Sequence, residues 1–371
     1  MRLVYSPDLL SYRFREWHPL RPERYLLTYE LLRAYGLLGG PIQAIEPKRY
    51  GPDVLLLAHD EEYVDFVKSA SELGEGYLDY GDTPAFKGCF EAALLHVSAT
   101  LTAAEEAARG EPSMNMAGGY HHAHRLSAGG FCIFNDLVIA VRYAMERGLA
   151  ARVAVVDFDA HHGNGTQELL YGEPVLKVDL HEDGRFLYPG TGFTDELGEG
   201  EGYGYMVNVP MPPHSGDADY AYAFDELVVP LLEWYKPDFL VCQCGVDGHY
   251  TDPLTHLELT SEGYAYMAKR LSEACSRLCG GRCLLLGGGG YSLAAVPRMW
   301  LVVISAFAGL GLSDELPSEW RELFRRVVGA EAPERLRDEV RPSAEREPSS
   351  AVKEVVEDLK AKLRDAHGLV L

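Results

Sequence analysis

The sequence predicts an α/β protein built on a mostly parallel sheet, and three observations carry that expectation. Short runs rich in valine and leucine alternate with longer segments of helical spacing. Several of the short runs, among them Val153-Ala154-Val155-Val156 and Leu284-Leu285-Leu286, are apolar throughout, as strands covered on both faces must be. Polar clusters follow directly on these runs, at the strand ends where open α/β sheets hold their ligands.

In chain order, strands are expected at Leu3–Tyr5, Val54–Ala58, Arg152–Asp157, Val175–Leu180, Phe239–Cys244 and Cys283–Leu286. Helices are expected at Pro22–Tyr35, Ala92–Ala108, Asp136–Arg147, Tyr220–Trp234 and Ser261–Leu278. Residues 330–350, rich in Glu, Arg and Pro, read as an exposed connection to a C-terminal helix over Ala351–Ala366, with Val355, Val356, Leu359 and Leu363 on its apolar side. Neither an internal repeat nor a convincing linker divides the chain, so one domain over residues 1–371 is expected.

With 47% hydrophobic and 24% charged residues, the chain can bury a sizeable core. A formal charge of −22 argues against a nucleic-acid surface, which needs clustered lysine and arginine, and favours a basic partner. The start, Met1-Arg2-Leu3-Val4-Tyr5-Ser6-Pro7, lacks the pattern of a secretory signal, and the uncharged stretch Met299–Leu312 is too short to cross a bilayer. No membrane association and a cytoplasmic location are therefore expected. Cys242 and Cys244 point to opposite faces of a strand, and Cys275, Cys279 and Cys283 have no histidine close by, so the cysteines read as core.

Four clusters carry the chemistry. In Asp157-Phe158-Asp159-Ala160-His161-His162-Gly163-Asn164, alternation puts Asp157, Asp159 and His161 on one side of a strand end. So many charges at the mouth of a buried strand are costly without an ion or mutual pairing. An aspartate and a histidine two apart can reach one cation, and oxygen plus imidazole ligation suits Zn²⁺. Asp247, in Gln243-Cys244-Gly245-Val246-Asp247 at another strand end, is the candidate third ligand, although a lone aspartate there is more often a cap or turn residue. The third cluster, Gly118-Gly119-Tyr120-His121-His122-Ala123-His124, offers His121 and His122 as acid/base groups and leaves His124 without a role. The fourth, Gly287-Gly288-Gly289-Gly290-Tyr291, lacks the lysine of a phosphate-binding loop and instead presents Tyr291, whose phenol can donate to a developing oxyanion.

The runs GGYHHAH, GGFCIFND, VDFDAHHGNGTQ, YPGTG, QCGVD and GGGGY occur in the order found in the histone deacetylase family, and the chain most resembles its bacterial acetoin-utilisation members from about Tyr5 to Trp300. The resemblance implies the arginase–deacetylase fold, a single deacetylase domain with a central parallel eight-stranded sheet flanked by helices on both faces. It implies a zinc-dependent deacetylase, with ferrous iron as an alternative ion in cells. Asp159, His161 and Asp247 match the metal ligands, Tyr291 the catalytic tyrosine, and His121 and His122 the histidine pair, oriented by Asp157 and Asn164 respectively. Phe131 and Tyr188 match the channel walls, Gly130 the glycine lining the channel, and Asp82 a rim aspartate that grips the substrate. Asp157, Asp159, His161, Asp179 and Leu180 match a site for potassium or another monovalent cation. An acetylated protein, with acetyl-CoA synthetase as one example, is the implied partner.

Three positions depart from the family pattern. Asn164 stands where many members carry aspartate, which leaves His122 less polarised. Asp179 replaces a usual serine of the cation site, and Tyr188 a common phenylalanine. An acetylpolyamine deacetylase, a binuclear arginase-like enzyme and a non-catalytic acyl-lysine binder are the competing readings. The binuclear one is disfavoured by the single Asp-x-His pair, and the binder by the retained tyrosine and histidine pair.

Overall fold

Every neighbouring pair of strands in this protein runs parallel, which obliges each connection to cross back over the sheet and lays helices on its faces. The computed structural model describes residues 1–339 and 347–369. Its strands are β1 (Arg2–Val4), β2 (Gln43–Ile45), β3 (Ser113–Asn115), β4 (Val153–Asp157), β5 (Leu176–Glu182), β6 (Met206–Met211), β7 (Phe239–Gln243) and β8 (Cys283–Leu286). They form one eight-stranded sheet in the order β2-β1-β3-β8-β7-β4-β5-β6. The central strands β4, β7 and β8 are buried at every residue, as their unbroken apolar runs require.

The helices are α1 (Glu23–Ala34), α2 (Glu61–Leu73), α3 (Cys89–Ala107), α4 (Asp136–Glu146), α5 (Asn164–Leu170), α6 (Asp217–Ala223), α7 (Val229–Tyr235), α8 (Ser261–Cys279), α9 (Val296–Ala308), α10 (Ser318–Val328) and α11 (Ser350–His367). One group, α2, α3 and α4, packs together, and a second gathers α8 with α6, α7 and α9, which in turn meets α1. Local chemistry sets several ends: Asn135 caps α4 through Val138 N–H at 3.0 Å, Ser349 caps α11, and α8 stops at Gly280 in the left-handed region. Among the described residues no helix is long and apolar enough to cross a membrane.

Four expectations need correction. Val54–Ala58 is not a strand: the segment Pro52–Leu57 winds as a 3₁₀ helix, started by a proline that cannot donate to a ladder. The helix expected at Tyr220–Trp234 is divided into α6 and α7 by a π-turn at Phe224–Val228, next to Pro230. β2, β3 and β6 were not anticipated. The first two are three residues long, and β6 is an edge strand whose apolar run is interrupted by Asn208 and Pro210. The connection expected over residues 330–350 is exposed only in part, because Leu336 is 1% exposed and Asp338 is held by Arg298, His249 and Ser261; residues 340–346 lie outside the described region. All seven cysteines are free and buried, as expected of core residues.

Candidate active site

One row of register partners crosses the sheet, at the last residue of β3, β8, β7 and β4 and in the middle of β5 and β6: Asn115, Leu286, Gln243, Asp157, Asp179 and Asn208. The polar clusters emerge just beyond this row, so residues far apart in the chain meet above the middle of the sheet.

Asp159 and His161 follow β4, and Asp247 follows β7. His161 Nδ1 lies 3.3 Å from Asp159 Oδ1 and 2.9 Å from Asp247 Oδ2, and the three buried groups bring one donor atom each within 4.8 Å of one another. The outer oxygens are fixed from behind: Asp159 Oδ2 accepts from Gly289 N–H at 2.6 Å and from Gln243 Nε2 at 2.8 Å, and Asp247 Oδ1 accepts from Ala160 N–H at 2.8 Å. Glycine in two separate loops permits this approach, since a Cβ on Gly289 would stand 2.2 Å from Asp247 Oδ2 and one on Gly245 2.1 Å from Asp159 Oδ2.

Electrostatics tests whether a cation fits. Burial opposes a charge on His161, yet hydrogen bonds to Asp159 and Asp247 outweigh it and raise the imidazole to about 10. Burial, then the charge of Asp159, pushes Asp247 up to about 6. Two buried carboxylates that pull a proton onto a histidine are a site lacking positive charge, and a divalent cation on the same three donors satisfies that need.

The histidine pair stands beside this centre. His121 Nδ1 is 2.9 Å from Asp157 Oδ2, its Nε2 is 3.1 Å from His122 Nε2, and His122 Nδ1–H donates to Asn164 Oδ1 at 2.8 Å. Burial works against a charge on His121, but Asp157 and Asp159 prevail and raise it to about 9. Burial and then the neighbouring His121 and His161 drive His122 well below its ordinary value. Gly130 packs on His122, and its φ of +50° suits glycine; a Cβ there would meet the ring at 2.2 Å.

Tyr291 follows the glycine run with its backbone N–H on Asp252 Oδ2 at 2.8 Å. Burial, then Asp247 and Asp159, holds its phenol well above 10, so it remains a donor. The ring of Phe131 lies 5.8 Å from that of Tyr291, and the ring of Tyr188 lies 5.1 Å from His122 on the other flank. Asp82 sits near Phe131 through Thr83, whose hydroxyl bonds Asp82 Oδ1 at 3.0 Å and receives Phe131 N–H at 3.0 Å. Asp179 and Leu180 are buried on β5. The structure thus brings together Asp159, His161 and Asp247, the histidine pair with Asp157 and Asn164, and the rings of Phe131, Tyr188 and Tyr291.

Sequence reasoning missed several supports. Tyr12 donates to Phe131 O at 2.7 Å and His18 packs on the Phe131 ring, holding a non-glycine residue at φ +69°. Arg24, buried on α1, reaches Gly290 O at 3.2 Å, and the buried Asp136 carboxylate anchors the Gly119 and Tyr120 N–H groups. His124, given no role, extends the His122–Asn164 contact: Asn164 Nδ2 lies 3.1 Å from His124 Nε2, and His124 Nδ1 bonds Glu168. The four-residue spacing of Asn164 and Glu168 on one helix was the available signal. A second chain ties the tyrosine loop to the carboxyl-terminal region: Ser292 Oγ to Thr251 Oγ1 at 3.3 Å, Thr251 Oγ1 to His249 Nδ1 at 2.9 Å, and His249 Nε2 to Asp338 at 2.9 Å.

Comparison with known proteins identifies the family and the fold. The family model described as histone deacetylase domain matches residues 18–307. The chain is 36% identical over 329 residues to acetoin utilization protein AcuC of Bacillus subtilis, covering 85% of this chain and 84% of that protein. It is 38% identical over 317 residues to a probable deacetylase of Archaeoglobus fulgidus, covering 84% of this chain and 87% of that one. Among solved structures, the HDA15 HD domain superposes with a TM-score of 0.80 at 29% identity, over 98% of this chain and 95% of its own. The eight-stranded parallel sheet is thus the arginase–deacetylase architecture, and the chain belongs to the histone deacetylase family of amidohydrolases.

Proposed function

We propose that this protein is a zinc-dependent lysine deacetylase that hydrolyses the acetyl amide of acetyl-lysine in proteins. The observation that carries the reading is the convergence of Asp159, His161 and Asp247 beside an asymmetric histidine pair. Asp159, His161 and Asp247 would hold a divalent ion, which when bound would supply Lewis-acid polarisation of the amide carbonyl and lower the pKa of a water. His122, the uncharged member of the pair, takes the proton of the attacking water and passes it to the departing amine nitrogen. His121 keeps its charge against Asp157 and stabilises the negative charge that develops nearby. Tyr291 donates its hydroxyl proton in a hydrogen bond to the carbonyl oxygen. Phe131 and Tyr188 flank the extended acyl-lysine stem, Gly130 lines it, and Asp82 holds the substrate backbone at the rim.

The resemblance to acetoin-utilisation proteins implies an acetylated metabolic protein, such as acetyl-CoA synthetase, as the substrate, met in the cytoplasm. Acetate release from an acetyl-lysine peptide, lost on chelation and restored by Zn²⁺, tests the reading; an inert metal-loaded protein would refute it. Metal analysis of protein from cells separates zinc from ferrous iron. Preferential turnover of acetylated polyamine would move the assignment to small amides.

A further inference from the structure

The inner row of the sheet contains a charge problem that the chain resolves with its own side chain. Asp157 on β4 pairs in register with Asp179 on β5, and both are fully buried. Their Oδ2 atoms and His121 Nδ1 crowd around Gly163, 3.0–3.2 Å from the point where a Cβ would stand. Adjacent buried carboxylates require a counter-charge.

The resemblance implies potassium or another monovalent cation here, on Asp157, Asp159, His161, Asp179 and Leu180. The residues present do not fit that ion. Asp179 Oδ1 accepts from His181 Nδ1 at 2.7 Å, while Oδ2 accepts from Gly163 N–H at 3.0 Å and pairs with the ammonium of Lys177. Lys177 stands two residues earlier on the same face of β5, and its side chain is 1% exposed. Any further cation ligated by Asp179 would stand one carboxylate away from this ammonium, where like charges repel strongly in a medium of low dielectric. Among the described residues no other lysine or arginine pairs with Asp157 or Asp179.

We propose that Lys177 is a built-in cation: its ammonium, held by Asp179, supplies beneath the Asp157–His121 pair the positive charge that a monovalent ion would otherwise bring, and the enzyme works without that ion. Lys177 touches no substrate and acts through Asp179 as a positioning residue. The proposal leans on the deacetylase reading only for its rate measurements.

The test compares zinc-loaded protein in choline chloride and in KCl at equal ionic strength, reading thermal midpoint, rubidium binding by equilibrium dialysis, and acetate release. Wild type is expected to show the same midpoint, no rubidium retained at micromolar to low-millimolar concentration, and rates equal within twofold. Lys177→Met is expected to lose at least about tenfold in turnover and to recover several-fold with KCl, a rescue that a packing defect would not show. A wild-type rate or midpoint that rises markedly with KCl, or one rubidium ion bound per chain, would overturn the proposal. If Lys177→Met does not fold, the wild-type measurements decide alone. Midpoint and rubidium are read without substrate, so failure of the deacetylase assignment is recognised separately.

Discussion

His121 and His122 are consecutive in the chain and their Nε2 atoms lie 3.1 Å apart, yet they occupy opposite electrostatic states. His121 faces inward to the full carboxylate of Asp157 and is raised to about 9; His122 faces the neutral amide of Asn164 and is lowered. His96 and His59, elsewhere in the interior, bond carbonyl, hydroxyl and amide groups only, and burial depresses both to about 4. Burial is common to all four, so the nature of the partner decides which buried histidine carries charge.

Removing each histidine of the pair in turn separates their roles. His122→Ala should lower turnover about 10²–10⁴-fold, the range for a general base, and His121→Ala by less. Near-normal turnover of the His122 variant would reverse the roles. Tyr291→Phe should cost about 10²–10³-fold in kcat, as loss of one oxyanion donor does, with little change in KM; an unaltered kcat would remove the phenol from the chemistry.

The partner rule extends to stability. His96 binds a proton in the unfolded chain near pH 6.5 but in the folded one only near 4, so folding stability falls as pH drops through that window. Its share at pH 5 is about 2 kcal/mol, and His96→Asn should flatten the decline in urea midpoint between pH 7 and pH 5. An unchanged slope would show that other groups dominate. The mildest change gives His122 the partner of its neighbour: Asn164→Asp should raise the proton affinity of His122, shift the acidic limb of kcat/KM to higher pH, and cost about tenfold near neutrality. An unmoved limb would mean that His124 and Glu168, behind Asn164, already set the tone of that ring.

The active site was far more legible than its supports. Metal ligands and acid/base groups come in short runs at strand ends, where polar residues interrupt an apolar stretch and stand out. Three-residue strands such as β2 and β3 carry no such contrast, and Val54–Ala58 has a strand's composition but a 3₁₀ helix's geometry because Pro52 precedes it. Lys177 was hidden for the opposite reason: a lysine inside an expected strand looks like a solvated side chain until the register shows Asp179 beside Asp157. The two departures at Asn164 and Asp179 were visible as single substitutions, but their companions His124, Glu168 and Lys177 emerge only when the chain is folded.

Asp338 lies 31 positions past residue 307, where the family match ends, yet it closes the chain of contacts behind Ser292 and Tyr291. Excising the recognisable catalytic unit at its apparent border would discard a keystone while retaining every reacting group. Boundaries for expression or for transplanting this activity onto another scaffold therefore belong beyond Asp338.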